Sequence, residues 1–134
     1  MMTKEAREIL KSAKTIAVIG FSSDSLKIAH TVPKYLTRFY KVYPVNPNAS
    51  EIVGLKSFKS VTEIKEPIDI VNIFRPGKEC GAIVREEILS MDPKPKMIWL
   101  QEGITNTEAK KLASSNNIAY VENECIYVVH KHLE

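Results

Sequence analysis

The side chains best suited to chemistry gather behind one glycine. Gly20 ends the apolar run Thr15-Ile16-Ala17-Val18-Ile19 and leads into Phe21-Ser22-Ser23-Asp24-Ser25, with Lys27 two residues further on. A glycine lets backbone approach a phosphate, and a helix opening behind it offers unpaired N–H groups and the positive end of its dipole. The expected ligand is therefore a phosphate-bearing nucleotide. Each residue also has a structural reading. Gly20 is needed by a strand-to-helix turn with or without a ligand, and Ser22 and Ser23 could cap the helix. Asn46, in Pro44-Val45-Asn46-Pro47, suits a turn as well as a ligand contact, and Arg75, in Phe74-Arg75-Pro76, suits solvent as well as an anion. His30 reads as a helix-start residue rather than a catalyst.

Other chemistries find little support. Only one glycine of a G-x-G-x-x-G dinucleotide fingerprint is present, with Ser22 and Ser25 where the others would fall. The acidic residue that would hold the ribose hydroxyls is replaced by Asn46, and a Walker A lysine is absent. There is no HExxH and no spacing that supports a Ser-His-Asp arrangement. Asp24 and Glu102 lack a recognisable partner carboxylate, so no catalytic residues are assigned. Cys80 and Cys125 carry no CxxC or finger spacing, and no metal is expected.

The chain of 134 residues supports one domain, and 44% apolar with 26% charged residues is ordinary for a globular protein. A net charge of +3 without a basic, aromatic-interleaved run gives no case for nucleic acid. No apolar run reaches membrane-spanning length and no signal peptide precedes the first strand, so a cytoplasmic protein with reduced thiols is expected. Leu133-Glu134 reads as a cloning remnant.

Four rounds of strand and helix position these residues. Expected strands cover 15–20, 40–45, 68–74, 97–100 and 118–121. Expected helices follow a charged segment at 4–11, a face of Ile28, Val32, Tyr35, Leu36 and Phe39 with Pro33 in its first turn, and Cys80, Ile83, Val84 and Ile88. A further helix is expected behind the capping box Thr105-Asn106-Thr107-Glu108. Residues 48–66 are expected to connect through a helical turn at Ala49–Ile52, a break at Gly54 and a brief helix at 61–65. Cys125 to Val129 forms a last apolar segment. The alternation predicts an α/β fold, a single Rossmann-like doubly wound parallel sheet of about five strands in order 3-2-1-4-5 with helices on both faces. Ligands in such sheets bind beyond the carboxyl ends of the strands, here Gly20–Ser23, Val45–Pro47, Phe74–Pro76 and Gln101–Gly103.

Gly20-Phe21-Ser22-Ser23, Ala29-His30-Thr31, Pro44-Val45-Asn46-Pro47, Ile70 to Pro76, Trp99 to Ile104 and Cys125-Ile126 occur in that order. The set resembles the small stand-alone CoA-binding proteins, similar to the N-terminal CoA-binding domain of the succinyl-CoA synthetase alpha subunit, over roughly residues 12–130. The resemblance implies coenzyme A or an acyl-CoA as ligand. Its diphosphate would lie near Gly20, Phe21, Ser22 and Ser23, and its adenosine near Val45, Asn46, Pro47, Phe74, Arg75 and Pro76. Lys27, His30 and Gln101 complete the expected contacts. Glu124 stands where the family carries Arg, and Tyr127 and Val129 interrupt its usual final strand. The synthetase's phosphorylated histidine belongs to a second domain that this chain lacks, so a CoA-binding module without turnover is the leading expectation. A nicotinamide-dependent oxidoreductase with a degenerate fingerprint and a CoA-sensing regulatory domain are the alternatives; no protein partner is indicated.

Overall fold

The computed structural model describes residues 2–133; Glu134 of the suspected remnant lies outside them. In chain order the elements are α1 (Lys4–Ser12), β1 (Thr15–Ile19), α2 (Ile28–Leu36), β2 (Lys41–Val45), β3 (Glu51–Ile52), β4 (Leu55–Lys56), β5 (Ile70–Ile73), α3 (Gly77–Glu86), β6 (Met97–Leu100), α4 (Thr107–Ser115), β7 (Ala119–Val121) and α5 (Ile126–Lys131). Ile16, Ala17 and Val18 of β1 have no exposed surface, as expected of a run without alternation that is covered on both faces.

Five parallel strands form the main sheet in the order β2-β1-β5-β6-β7. Counted among themselves they run 2-1-3-4-5, not the expected 3-2-1-4-5. The third strand pairs with β1, Ile16 to Ile19 lying beside Ile70 to Ile73. The connection before it explains why. Residues 51–56 are a β-hairpin, not a helical turn, and the chain leaving it lies along the outer edge of β2. Phe58 N–H donates to the Pro44 carbonyl (3.0 Å) and Asn46 N–H to the Phe58 carbonyl (2.8 Å). With that edge taken, the next strand joins on the other side of β1. The hairpin turns at Val53-Gly54, both at positive φ (49° and 77°). That is the two-residue pattern of a type I′ turn, which a β-branched valine hides from sequence reading.

Helices α1, α2 and α5 bury one side of the sheet and α3 and α4 the other. Leu10, Leu36 and Ile126 pack with Ile16, Val18, Ile70 and Trp99. Cys80, Val84, Ala109 and Ala113 pack with Ala17, Val71, Ile73 and Ile98. The last apolar segment is the helix α5, where the family pattern suggested a strand. Gln101 Oε1 accepts from Ile126 N–H (3.2 Å) at its first turn. The brief helix expected at 61–65 is a 3₁₀ turn at Val61–Glu63, capped by Ser60 Oγ. Asn106, rather than Thr105, caps α4, its Oδ1 accepting from Ala109 N–H (2.8 Å).

The expected face of α2 is only partly inward: Val32 and Leu36 are buried, while Ile28 and Phe39 are 67% and 50% exposed. Pro33 sits in mid-helix rather than in the first turn. Having no N–H, it leaves the Ala29 carbonyl four residues back without its helical donor. Ser22 N–H takes that place, donating to Ala29 at 2.9 Å. A residue that interrupts the helix thus ties down the loop leading into it.

Candidate functional site: the cleft at the strand ends

β1 and β5 are adjacent, but the helices that follow them lie on opposite faces of the sheet. Their exit loops therefore diverge and open a crevice between them, the switch point of a doubly wound sheet. Gly20 stands at its floor with φ +89°, and a Cβ there would lie 2.6 Å from the Phe74 carbonyl oxygen. Its N–H donates to the Val45 carbonyl (2.9 Å), and Phe74 N–H donates to that of Ile19 (2.8 Å). Three strand ends are thereby fastened together at one point.

The loop beyond Gly20 is held from within. Asp24 N–H donates to Ser22 Oγ and Leu26 N–H to Asp24 Oδ1, both at 3.0 Å. Beneath it His30 Nδ1 lies 2.6 Å from the Ser22 carbonyl, which fixes a proton on Nδ1 as the donor. The ring of His30 stands edge-on to the fully buried Phe21, their centroids 5.8 Å apart. These two residues support the loop from below. Lys27 occupies the capping position of α2, and its side chain makes no capping hydrogen bond there.

The resulting cleft has a volume of about 530 Å³, within the range of small-molecule sites. Of the residues expected from sequence, Gly20, Ser22 and Lys27 line it on the β1 side, Val45, Asn46 and Pro47 on the β2 side, and Phe74 and Arg75 on the β5 side. Phe21, Ser23, His30, Pro76 and Gln101 are not part of its wall. Pro76 caps α3, and Gln101 is 4% exposed beneath α5. Asn46 lines the cleft with its amide already engaged: Nδ2 donates to the Phe21 carbonyl (3.0 Å) and Oδ1 accepts from Asn48 N–H (2.8 Å).

The wall also holds Ala29, Lys59, Glu79 and Glu87, which sequence reading did not assign to it. Glu79 had a visible signal, lying four residues after Arg75 where a helix brings the two together. Arg75 Nε and Nη2 donate to its two carboxylate oxygens at 3.0 and 3.1 Å. Lys59 had none, because its position depends on the unforeseen hairpin. Glu87 Oε1 accepts from Ser60 Oγ (2.8 Å). The β5 side of the cleft is thus a neutral ion pair with a carboxylate nearby, while the β1 and β2 sides carry Lys27 and Lys59. Cys80 lies behind this wall, where burial pushes its thiol up to about 11 and keeps it protonated. Among the described residues no three His, Cys, Asp or Glu side chains gather as a metal site, and no helix is long and apolar enough to cross a membrane.

This arrangement defines a Rossmann-like domain with a cleft at the carboxyl ends of its parallel strands. Residues 14–131 match the family model for the CoA binding domain. A Thermus thermophilus protein solved as cell-free ID.343 superposes with a TM-score of 0.90 at 38% identity, covering 100% of both chains. YneT of Bacillus subtilis is 36% identical over 94% of this chain and 92% of its own. The ADP-forming acetate–CoA ligase of Methanocaldococcus jannaschii is 27% identical over 90% of this chain, which spans only 18% of that ligase. The chain belongs to the CoA binding domain family.

Proposed function

We propose that this chain binds coenzyme A, free or acylated, across the carboxyl ends of β1, β2 and β5, and acts as a binding module without turnover of its own. The observation that carries this reading is the cleft itself: it opens at the switch point behind Gly20, in a chain of the CoA binding domain family. The diphosphate lies against the N-terminus of α2, with Lys27 beside it, where N–H groups and the helix dipole favour negative charge. The adenosine lies between Val45–Pro47 and Phe74–Arg75. A nicotinamide dinucleotide fits less well. The end of β2 offers it Asn46, whose amide oxygen already accepts from Asn48 N–H, and no carboxylate for the ribose hydroxyls.

Calorimetric titration with CoA, NAD and NADP tests the proposal, together with native mass spectrometry of the freshly purified protein. CoA is expected to bind at least about tenfold more tightly than either dinucleotide, a difference of about 1.4 kcal/mol. Equal or tighter binding of NAD would sink the reading.

A further inference from the structure

The cleft does not end at β2. Beyond Pro47 it continues into a second groove of about 460 Å³ that shares Pro47, Asn48 and Lys59 with it and runs along the β3–β4 hairpin to Lys56. We infer that this groove receives the 3′-phosphate of the CoA ribose, held by Lys59 and Lys56, and that it makes the protein selective for CoA over dephospho-CoA. The inference rests on the assignment of CoA to the main cleft.

The distribution of charge carries it. CoA brings two separate anionic groups, a diphosphate and a phosphomonoester on the adenosine ribose. Three cations face the main cleft, Lys27, Lys59 and Arg75. Arg75 is held in a two-point ion pair by Glu79, and Glu87 adds a second carboxylate on that side. A phosphomonoester turned toward α3 would meet these carboxylates. Lys27 stands at the start of α2, beside the diphosphate position. Lys59 is left, exposed and on the opposite side of the adenosine position.

Among the described residues neither Lys59 nor Lys56 enters an ion pair. Lys56 lines the groove, and its Nζ lies 5.0 Å from the centre of the Phe58 ring. Glu63 lines this groove too, its carboxylate accepting from the backbone N–H of Lys59 (3.0 Å), so two cations face one carboxylate there. Lys59 is positioned by backbone: Phe58 beside it is fastened to both Pro44 and Asn46. A lysine on such an anchor loses less freedom on meeting a phosphate than one on a free loop.

The test is a titration of the parent, Lys59→Ala, Lys59→Arg and Lys56→Ala/Lys59→Ala with CoA and with dephospho-CoA, alongside a melting curve for each. The parent should bind CoA at least about tenfold more tightly than dephospho-CoA, as charge-assisted contacts to phosphate imply. That ratio should fall several-fold in Lys59→Ala, approach one in the double variant and be retained in Lys59→Arg. A parent that binds both nucleotides equally, or a double variant that keeps the ratio, overturns the inference while leaving CoA in the main cleft. A parent that binds neither nucleotide removes the CoA assignment, and this inference with it.

Discussion

Gly20 and Ser22 stand two residues apart and answer to different constraints. Gly20 combines φ +89° with a missing Cβ that would press on the Phe74 carbonyl at 2.6 Å. Both features concern the fold, since that carbonyl belongs to the neighbouring strand end. Gly20→Val should therefore destabilise the protein by about 2 kcal/mol or more, through a left-handed conformation forced on a β-branched residue and displacement of β5. It should weaken CoA binding as well. Ser22 lines the cleft, and its side chain accepts one exposed hydrogen bond, from Asp24 N–H. Ser22→Glu should lower the melting temperature only slightly. It should cost CoA about tenfold or more in affinity, because a carboxylate would sit where the diphosphate is proposed. Melting curves and CoA titrations on both variants separate the two roles. Unchanged affinity in Ser22→Glu would mean that the diphosphate lies elsewhere.

At the scale of elements, the seam between α2 and α5 holds a histidine whose burial makes the fold sensitive to acid. Tyr35 on α2 and His130 on α5 meet with Oη and Nδ1 2.7 Å apart, and Phe39 and Tyr127 pack against them. Burial holds the imidazole of His130 below its ordinary value, so the folded protein favours the neutral ring. Above about pH 6.5 the ring is neutral in both folded and unfolded chains and the contribution to stability is whole. As pH falls below that, the unfolded chain takes up the proton first, and the contribution is lost until the folded pKa is passed. The parent should lose more melting temperature between pH 8 and pH 5 than His130→Gln does. Equal losses would assign the acid response to other groups.

The molecule as a whole has two apolar layers separated by one sheet, and the cleft spans loops that leave both of them. A ligand there fastens the exits of β1, β2 and β5, so binding should be read by the cooperative unfolding of the entire domain. At a concentration about a hundred times its dissociation constant, CoA should stabilise the fold by about 2.7 kcal/mol. For a chain of this length that raises the melting temperature by several degrees, and the same concentration of NAD should raise it less. A calorimetric scan with each ligand measures the difference; an equal shift with both would count against a site shaped for CoA.

The sequence alone determined the composition of the sheet. Runs such as Ile16-Ala17-Val18-Ile19 and Met97-Ile98-Trp99-Leu100 are apolar at every position, as a parallel strand covered on both faces requires. It also located the exit of β1, because a glycine between such a strand and a helix leaves few choices of geometry. The order of the strands was decided in three dimensions. Whether the third strand pairs beside β1 or outside β2 depends on which edge is already covered, and Phe58 covers it from a hairpin whose turn residue, Val53, carries no turn signal. The polar groups of the site follow the same division. Lys27 and Ser22 were legible from their distance to Gly20. The engagement of the Asn46 amide and the arrival of Lys59 at the cleft depend on contacts between segments, and a linear pattern records neither of them.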